Sequence, residues 1–457
     1  MDPDNFSPSL RPWSVTLSPP AFGHIASSRR VDRSDEEVAD DLEVDGAASK
    51  GKRYDVRSLL RSRSLSPPRR RSPRLSPPED VSDVSVDRRG RTRAARAARR
   101  DDERSPSRPR VKKCVRDRMA SADPIRISTS PSDYVVTSSG WSGVRDTAST
   151  FIPARAYYLP ELLGVLGMTE IEWDGQASRP IVDRERRVIG VLGGRPRGSE
   201  YLGLTEQAAE VLEQTRSQGS FQPNQRTGRR GDFTAVTVGI SYGNGRQAPG
   251  NLRLRPTLLW TMHQLFAMSC FARISGFANS LFRTWNPDVY RLYETTLDAL
   301  VGNHDSLRRN FLRRDSVFAA ATFNFGPNTI TNPHVDTLNL AWGWCTITAL
   351  GPFDPTRGGH LVLWDLGLVI RFPPGSTILI PSAILRHSNV PIQEGERRYS
   401  FTQFSAAGLF RWVDNNFRSD ATVNEEIRDD PEAQADRARA RRTRWMTGVN
   451  SFMRFGA

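Results

Sequence analysis

The sequence predicts an α+β protein in which a helical block supports a β-sandwich or barrel, behind a long disordered N-terminal tail. The first 125 residues are rich in Ser, Pro and Arg and poor in aromatics, so they cannot bury enough apolar surface to offset the entropy of ordering. Residues 254–312 carry apolar side chains at helical spacing. From residue 317 onward, short β-branched and aromatic runs alternate with Gly/Pro turns, which is typical of sandwiches and barrels.

These patterns divide the 457 residues into four parts. They are a disordered Arg/Ser/Pro-rich tail (1–125), an N-terminal α/β part (126–252), a helical support with the β core (253–417), and a charged C-terminal helical tail (418–457). The second part contains a predicted hairpin over 179–192 and a helix over 204–216. The helical support is expected to break at Asn286-Pro287. Strands are predicted over 317–325, 334–350, 360–371, 376–382 and 396–406.

Positive charge is concentrated in the tail. Residues 51–120 carry 23 basic and 9 acidic groups, whereas residues 121–457 carry 37 and 32. The Arg-Ser and Ser-Pro runs indicate an intracellular, nuclear protein whose tail binds nucleic acid without sequence preference. Two alternatives stay open: a solvated, phosphorylatable tail without either role, or an arginine bias that reflects a GC-rich genome.

Cysteine and hydropathy patterns exclude several classes of protein. Cysteine occurs at three positions, Cys114, Cys270 and Cys345. There is no CxxC motif, so neither disulfides nor a structural zinc site is expected. The N-terminus has no signal-peptide pattern. The most apolar stretch, 258–282, contains His263 and Arg273, which favours a buried helix over a membrane span.

The most informative motif is a His-x-Asp pair, His334 and Asp336, followed at a distance by His387. This is the sequence form of the two-histidine, one-carboxylate facial triad, which binds Fe(II) and leaves open positions for cosubstrate and oxygen. Side chains in a strand alternate faces, so His334 and Asp336 are expected to point the same way. A His-x-Asp pair alone is more often a capped turn; the second histidine and the residues after it favour a metal site.

An Arg-x-Ser motif, Arg398 and Ser400, follows the second histidine. A guanidinium can pair bidentately with the distal carboxylate of a dicarboxylate cosubstrate, and a hydroxyl can add a hydrogen bond. Arg398 and Ser400 share one strand face, and Arg397 falls on the other. The sequence therefore predicts Arg398, and not Arg397, as the carboxylate-binding residue.

With these residues in place, the chain resembles a known family. The matching segments are 317–327, the His334–Asp336 motif, Gly343-Trp344-Cys345, Gly358-Gly359-His360-Leu361 and 396–400. They resemble the TET/JBP-like 2-oxoglutarate/Fe(II)-dependent dioxygenases, in particular the expanded set in mushroom-forming (basidiomycete) fungi. The resemblance covers about 140–415 and leaves both tails outside.

The resemblance implies a double-stranded β-helix core of the jelly-roll or cupin-like type. It implies Fe(II) on the triad, 2-oxoglutarate and O2 as cosubstrates, and the cosubstrate carboxylate on Arg398. Ser400 and Asn324 are implied as further cosubstrate contacts. The implied reaction is oxidation of the methyl group of 5-methylcytosine or thymine, flipped out of DNA into the pocket.

Two departures keep the function open. The cysteine-rich zinc insert of animal members is absent, and no residue matches a base-reading contact. The alternatives are the same chemistry on a protein or small molecule, and a non-catalytic DNA- or chromatin-binding protein that retains the fold. The preferred base and the oligomeric state are not predicted.

Overall fold

The computed structural model describes residues 113–144, 152–228, 230–243 and 245–456. The Arg-Ser and Ser-Pro runs of the predicted tail lie outside these residues. The tail boundary predicted at 125 falls too far along the chain, because a helix already covers Lys113–Ala120 and a strand covers Ile125–Arg126. That strand pairs in parallel with Arg179–Val182, and Ile125 is buried. These contacts begin the fold earlier than composition indicated.

Thirteen strands are found among the described residues. In chain order they are β1 (Ile125–Arg126), β2 (Thr169–Ile171), β3 (Arg179–Val182), β4 (Val188–Gly194), β5 (Ala235–Ser241), β6 (Gly250–Asn251), β7 (Ala320–Asn324), β8 (Cys345–Leu350), β9 (Leu361–Leu363), β10 (Leu368–Ile370), β11 (Thr377–Ile380), β12 (His387–Asn389) and β13 (Tyr399–Phe404). The larger sheet has the order β1-β3-β4-β11-β8-β13-β7-β5-β6, and the smaller has the order β12-β9-β10-β2. The predicted hairpin is confirmed as antiparallel β3 and β4.

The α-helices of the described residues flank these sheets. They are α1 (Lys113–Ala120), α2 (Ser199–Gln218), α3 (Pro223–Arg226), α4 (Pro256–Ala267), α5 (Ser269–Trp285), α6 (Pro287–Asn303), α7 (Ala407–Asp414), α8 (Asp420–Glu426) and α9 (Pro431–Asn450). The predicted break at Asn286-Pro287 is confirmed between α5 and α6. A second break, at Met268, was not predicted; its extended backbone separates α4 from α5 without a proline or glycine.

The smaller sheet separates two apolar layers by strand alternation. Leu361 and Leu363 of β9 belong to the main core, together with β11 of the larger sheet. Val362, between them, packs on the opposite face against Tyr157 and Leu162. The inner face of the smaller sheet is therefore the one that meets the larger sheet.

The larger sheet also has two different faces. Phe323 of β7 and Phe401 of β13 lie 5.0 Å apart between ring centroids and pack with the side chains of α4 and α5. Asn324 and Ser400, the next residues along, are directly paired across the strands and face the other way. The outer face thus anchors the helices, and the inner face presents polar groups to the smaller sheet.

The strand predicted over 334–350 is wrong over its first half. Only β8 is regular, and the chain before it runs through turns, with the Gly343 N–H donating to the Leu340 carbonyl. Apolar residues such as Leu340 and Trp344 alternate there as in a strand, but they are buried by neighbouring segments. Alternating apolar residues indicate that the chain is buried on alternate sides. Here neighbouring segments bury them, and the chain forms no regular β-sheet hydrogen bonds.

The segment predicted as a C-terminal charged tail packs against the domain. Trp445 and Val449 of α9 are buried in the main core. The basic face of α9 is paired and not simply solvated: Arg437 Nη2 lies 2.6 Å from an Asp420 carboxylate oxygen, and the Arg444 guanidinium lies 4.5 Å from the Trp141 ring centroid. Apolar anchors and ion pairs together dock this helix.

Helices α4 and α5 form the apolar stretch noted in the sequence. Within the described residues, no single helix is long and apolar enough to cross a membrane. Taken together, α4 and α5 have that length and apolar composition, with a bend of 68° between them. Both contribute buried side chains, among them Met262 and Phe271, to the core beside the larger sheet.

We expect Phe323→Ala to lower the free energy of unfolding by about 3–5 kcal/mol, because it removes a fully buried ring and leaves a cavity among other aromatic rings. Urea unfolding followed by circular dichroism measures this change. Leu312→Ala is the control, since Leu312 is 62% exposed and should change stability by less than about 0.5 kcal/mol. Equal effects from both variants would contradict the assignment of this core.

Candidate metal centre

The structure brings His334, Asp336 and His387 into one cluster. One potential ligand atom from each side chain lies within 4.8 Å of the others. The Nε2 atoms of His334 and His387 lie 3.8 and 3.9 Å from the two Asp336 carboxylate oxygens. Metal–ligand distances to such atoms are about 2.0–2.2 Å, so a small inward movement would place one ion among all three.

Backbone pairing positions the two imidazoles. His334 and His387 form an isolated antiparallel bridge, with N–H to carbonyl distances of 3.1 and 2.9 Å in the two directions. Their ring centroids consequently lie 4.3 Å apart. His334 lies beside β12 and extends the smaller sheet, so both histidines belong to the same sheet.

Each imidazole is held in one orientation by a backbone carbonyl. The Nδ1 atom of His334 lies 2.7 Å from the Asn332 carbonyl oxygen, and that of His387 lies 2.9 Å from the Leu385 carbonyl oxygen. A carbonyl can only accept, so both Nδ1 atoms carry the proton and both Nε2 lone pairs face the cluster. Burial, and next the neighbouring His387, lower the pKa of His334 well below its ordinary value, so this ring is neutral and able to bind a cation.

Asp336 supplies the negative charge. Its backbone N–H donates to the Ser382 carbonyl at 2.9 Å, which fixes the residue beside the loop after β11. Burial acts to raise the pKa of the Asp336 carboxyl, but Arg230, the two imidazoles and a hydrogen bond from Ser382 outweigh it and hold that pKa below its usual range. The donor set is thus two imidazole nitrogens and one carboxylate, which fits a divalent ion such as Fe(II).

Cys345 lies near this cluster but is not suited to bind the ion. Burial, and next the charge of Asp336, raise the pKa of the Cys345 thiol to about 12. A thiol must lose its proton to become a strong metal ligand, so the cluster keeps its nitrogen and oxygen character.

Arg398 is a buried cation with unused donors. It is 1% exposed, and its Nη1 donates to the Thr329 carbonyl at 2.8 Å. Its Nε and Nη2 atoms have no hydrogen-bond partner among the described residues. Burial lowers its pKa to about 10, so the guanidinium remains charged at neutral pH. Phe353 and Phe372 flank it, each with a ring centroid 5.8 Å away.

Unsatisfied buried donors on a cation are costly unless an anion completes them. The arrangement therefore fits a carboxylate, which accepts two parallel hydrogen bonds from a guanidinium. Thr329 lies a few residues before His334 in the same connecting segment. The hydrogen bond from Arg398 to Thr329 therefore links the guanidinium to the segment that carries the first histidine.

The remaining sequence-predicted residues lie on the same inner face. The Asn324 side-chain amide donates to the Ser400 hydroxyl at 2.8 Å, and both residues are largely buried. Arg397 is exposed on the opposite face, in a cleft of about 400 Å³ that also contains Glu213 of α2. The strand parity that separated Arg398 from Arg397 is therefore reproduced, while the roles of these residues stay predictions.

Two features of the site could not be found from the sequence. Arg230 lies far from the triad along the chain, yet its Nη2 is 2.6 Å from Asp336 Oδ1. Ser382 is also distant from Asp336 in sequence, and only the folding of the chain brings the two into contact. His360 is not part of this cluster; its Nε2 lies 3.5 Å from a Glu170 carboxylate oxygen. No periodicity or spacing rule links residues across such distances.

The sequence and the structure were compared with those of known proteins. No family model matches the sequence, and no curated protein matches it. Among solved structures, NgTET1 in complex with 5mC DNA is similar at 15% identity with a TM-score of 0.36, over 52% of this chain and 82% of that chain. A 2OG-Fe(II) oxygenase family oxidoreductase from Burkholderia pseudomallei is similar at 14% identity with a TM-score of 0.25, over 47% and 92%. Both similarities are too low to carry a functional conclusion, so the site residues must carry it.

We expect Asp336→Ala to weaken binding of Mn(II), used as a redox-stable probe, by more than about 100-fold, because only two neutral ligands then face a dication. Isothermal titration calorimetry measures the affinity, and thermal unfolding without metal checks that the fold is kept. Asp305→Ala, at an exposed carboxylate outside the cluster, is the control and should bind Mn(II) normally. Unchanged affinity in Asp336→Ala would reject the triad.

Proposed function

We propose that this protein is an Fe(II)/2-oxoglutarate-dependent dioxygenase that oxidises the methyl group of 5-methylcytosine or thymine in DNA. The observation that carries the oxygenase half is the pairing of a His-Asp-His cluster with a buried, incompletely paired guanidinium. Either feature alone is compatible with a structural role. Together they provide for a divalent ion and for an anionic cosubstrate.

The metal half of the proposal is supported by the donor chemistry. His334 and His387 present Nε2 lone pairs because their Nδ1 protons are held by carbonyls. Asp336 adds one negative charge. A triad of this composition binds Fe(II) and leaves further coordination positions open, and His334, Asp336 and His387 would be its protein ligands.

The cosubstrate half is supported by Arg398 and its neighbours. A dicarboxylate such as 2-oxoglutarate can use one carboxylate at the metal and place the other against the Arg398 Nε and Nη2 donors. Phe353 and Phe372 would exclude water around this ion pair, which strengthens it. Ser400 and Asn324 lie on the same inner face as possible further contacts, and we propose that the two sheets form a double-stranded β-helix around them.

The chain's own residues then have defined tasks. The two carbonyl-held imidazoles fix the ligand geometry, and Arg398 orients the cosubstrate relative to it. When bound, Fe(II) with 2-oxoglutarate and O2 supplies the oxidising power for C–H hydroxylation, while 2-oxoglutarate is converted to succinate and carbon dioxide. The protein's contribution is to position the reacting groups and to keep bulk water out.

The DNA half rests on sequence. The segments that resemble TET/JBP-like enzymes surround the triad, and residues 51–120 carry a large excess of arginine and lysine over acidic residues. A basic segment of this kind neutralises backbone phosphates. A nuclear location is proposed on the same basis.

The decisive experiment incubates the purified protein with Fe(II), 2-oxoglutarate and methylated duplex DNA, followed by nucleoside mass spectrometry. Oxidised 5-methylcytosine or thymine together with succinate would support the full proposal. Succinate without an oxidised base would retain the oxygenase and point to a protein or small-molecule substrate. DNA binding without succinate would favour a non-catalytic protein that keeps the fold.

We expect Arg398→Ala to raise the 2-oxoglutarate concentration needed for half-maximal turnover by at least about 30-fold, because a buried carboxylate that loses its charge partner costs about 2–5 kcal/mol. Arg397→Ala is the matched control, since the neighbouring arginine is exposed on the other strand face. It should change that concentration less than about threefold. Succinate release at varied 2-oxoglutarate measures both, and the opposite ranking would show that the wrong arginine was chosen.

We expect deletion of residues 1–112 to spare oxidation of short oligonucleotides and to weaken binding to long DNA, most strongly at low salt, because counterion release is lost with the basic segment. The deletion stops before α1, so it retains every helix and strand described above. Affinity is measured by fluorescence anisotropy over a salt series. In a matched control, the arginines between 88 and 100 are changed to glutamine at constant length. An unchanged salt slope in both proteins would show that the tail does not contact DNA.

A further inference from the structure

Arg230 is the charged residue that contacts the triad from its exposed side. Its Nη2 lies 2.6 Å from Asp336 Oδ1, and its side chain is 46% exposed, against 15% for Asp336. The same oxygen has no well-aligned hydrogen bond from any donor in the described part of the chain. The contact is therefore an ion pair held by charge and proximity more than by directed hydrogen bonding.

The backbone that carries Arg230 is fixed. The Asn332 N–H donates to the Arg230 carbonyl at 2.7 Å, and Gly228 and Gly231 exchange hydrogen bonds around it. Gly231 adopts a φ of +151°, and a Cβ there would lie 2.3 Å from the Ile330 carbonyl oxygen. The loop end is thus docked closely on the segment that leads to His334, which leaves the Arg230 side chain as the movable part.

We propose that Arg230 is a displaceable counter-cation, whose guanidinium neutralises Asp336 in the metal-free protein and is expelled when a divalent ion binds the triad. This inference rests on the metal half of the proposed function and is independent of the substrate. A bound ion would lie about 2 Å from an Asp336 oxygen, within a few ångströms of the guanidinium that now contacts that carboxylate. Two cations at such a distance repel strongly beside a partly buried group.

The exchange has two consequences for the molecule. Without metal, Arg230 prevents the cost of leaving a largely buried carboxylate unpaired, so it preserves the arrangement of the ligands. With metal, the half-exposed side chain is released at the edge of the site, where it becomes available to an anionic group. Metal binding would thereby free the Arg230 guanidinium to bind an anion at the surface next to the metal site.

The opposite role, in which Arg230 holds Asp336 in place for the metal, predicts the opposite sign. We therefore compare Mn(II) binding to the full chain and to R230A by calorimetry. Loss of a competing cation should tighten Mn(II) binding about two- to fivefold, as expected for an ion pair with one exposed partner. R230K keeps the charge and should lie between the two. R226A, at the exposed last residue of α3, should bind as the unaltered protein does.

Thermal unfolding provides a second readout. R230A should unfold at a lower temperature than the unaltered protein without metal, and the difference should vanish at saturating Mn(II), because Arg230 no longer contacts Asp336 in that state. The affinity difference should also shrink as salt screens the exposed guanidinium.

Weaker or unchanged Mn(II) binding in R230A, with the unaltered protein binding normally, would overturn the exchange and leave the triad intact. Failure of the unaltered protein to bind Mn(II) at all would instead overturn the metal site itself.

Discussion

The backbone bridge between His334 and His387 is the constraint on which the candidate centre depends. It joins two segments that are far apart in sequence and sets the distance between two imidazoles before any ion is involved. The carbonyls of Asn332 and Leu385 then select the ring nitrogen that faces inward. Because these hydrogen bonds are made by the backbone, they do not depend on further side chains. The backbone thus sets the positions of the two imidazoles, and the charge of Asp336 would provide most of the affinity for a cation.

Strand β13 shows how one element can serve the site and the core at once. Tyr399 and Phe401 pack among the aromatic side chains beneath the helices, while Ser400 faces the interior space between the sheets. A shift of one residue in its pairing with β7 would exchange these faces, burying polar groups among aromatic rings. The packing on the outer face therefore fixes the register on which the position of Arg398 depends.

The sequence predicted those features that local chemistry determines. The metal-binding chemistry predicted for His334, Asp336 and His387 follows from residue type, and the alternation of Arg397 and Arg398 follows from the strand period. It did not predict features that arise from long-range packing, such as the Arg230 contact. Apolar alternation before β8 was mistaken for a strand because burial by neighbouring segments produces the same pattern.

The C-terminal helix shows the same limit. Its arginines at helical spacing predict a basic face, but whether that face meets solvent depends on what lies opposite. Here Asp420 and Trp141 lie opposite and receive Arg437 and Arg444. Such partners come from other segments of the chain, and nothing in the local spacing identifies them.

The high pKa of Cys345 has a consequence for durability. Oxidants attack the thiolate much faster than the thiol, and the oxygen chemistry proposed for this centre would expose its neighbours to such attack. Burial and the nearby Asp336 charge keep this sulfur protonated. The carboxylate that would bind the ion therefore also keeps the nearby Cys345 thiol protonated. Cysteine is readily oxidised, and these surroundings protect this one from oxidants formed at the site.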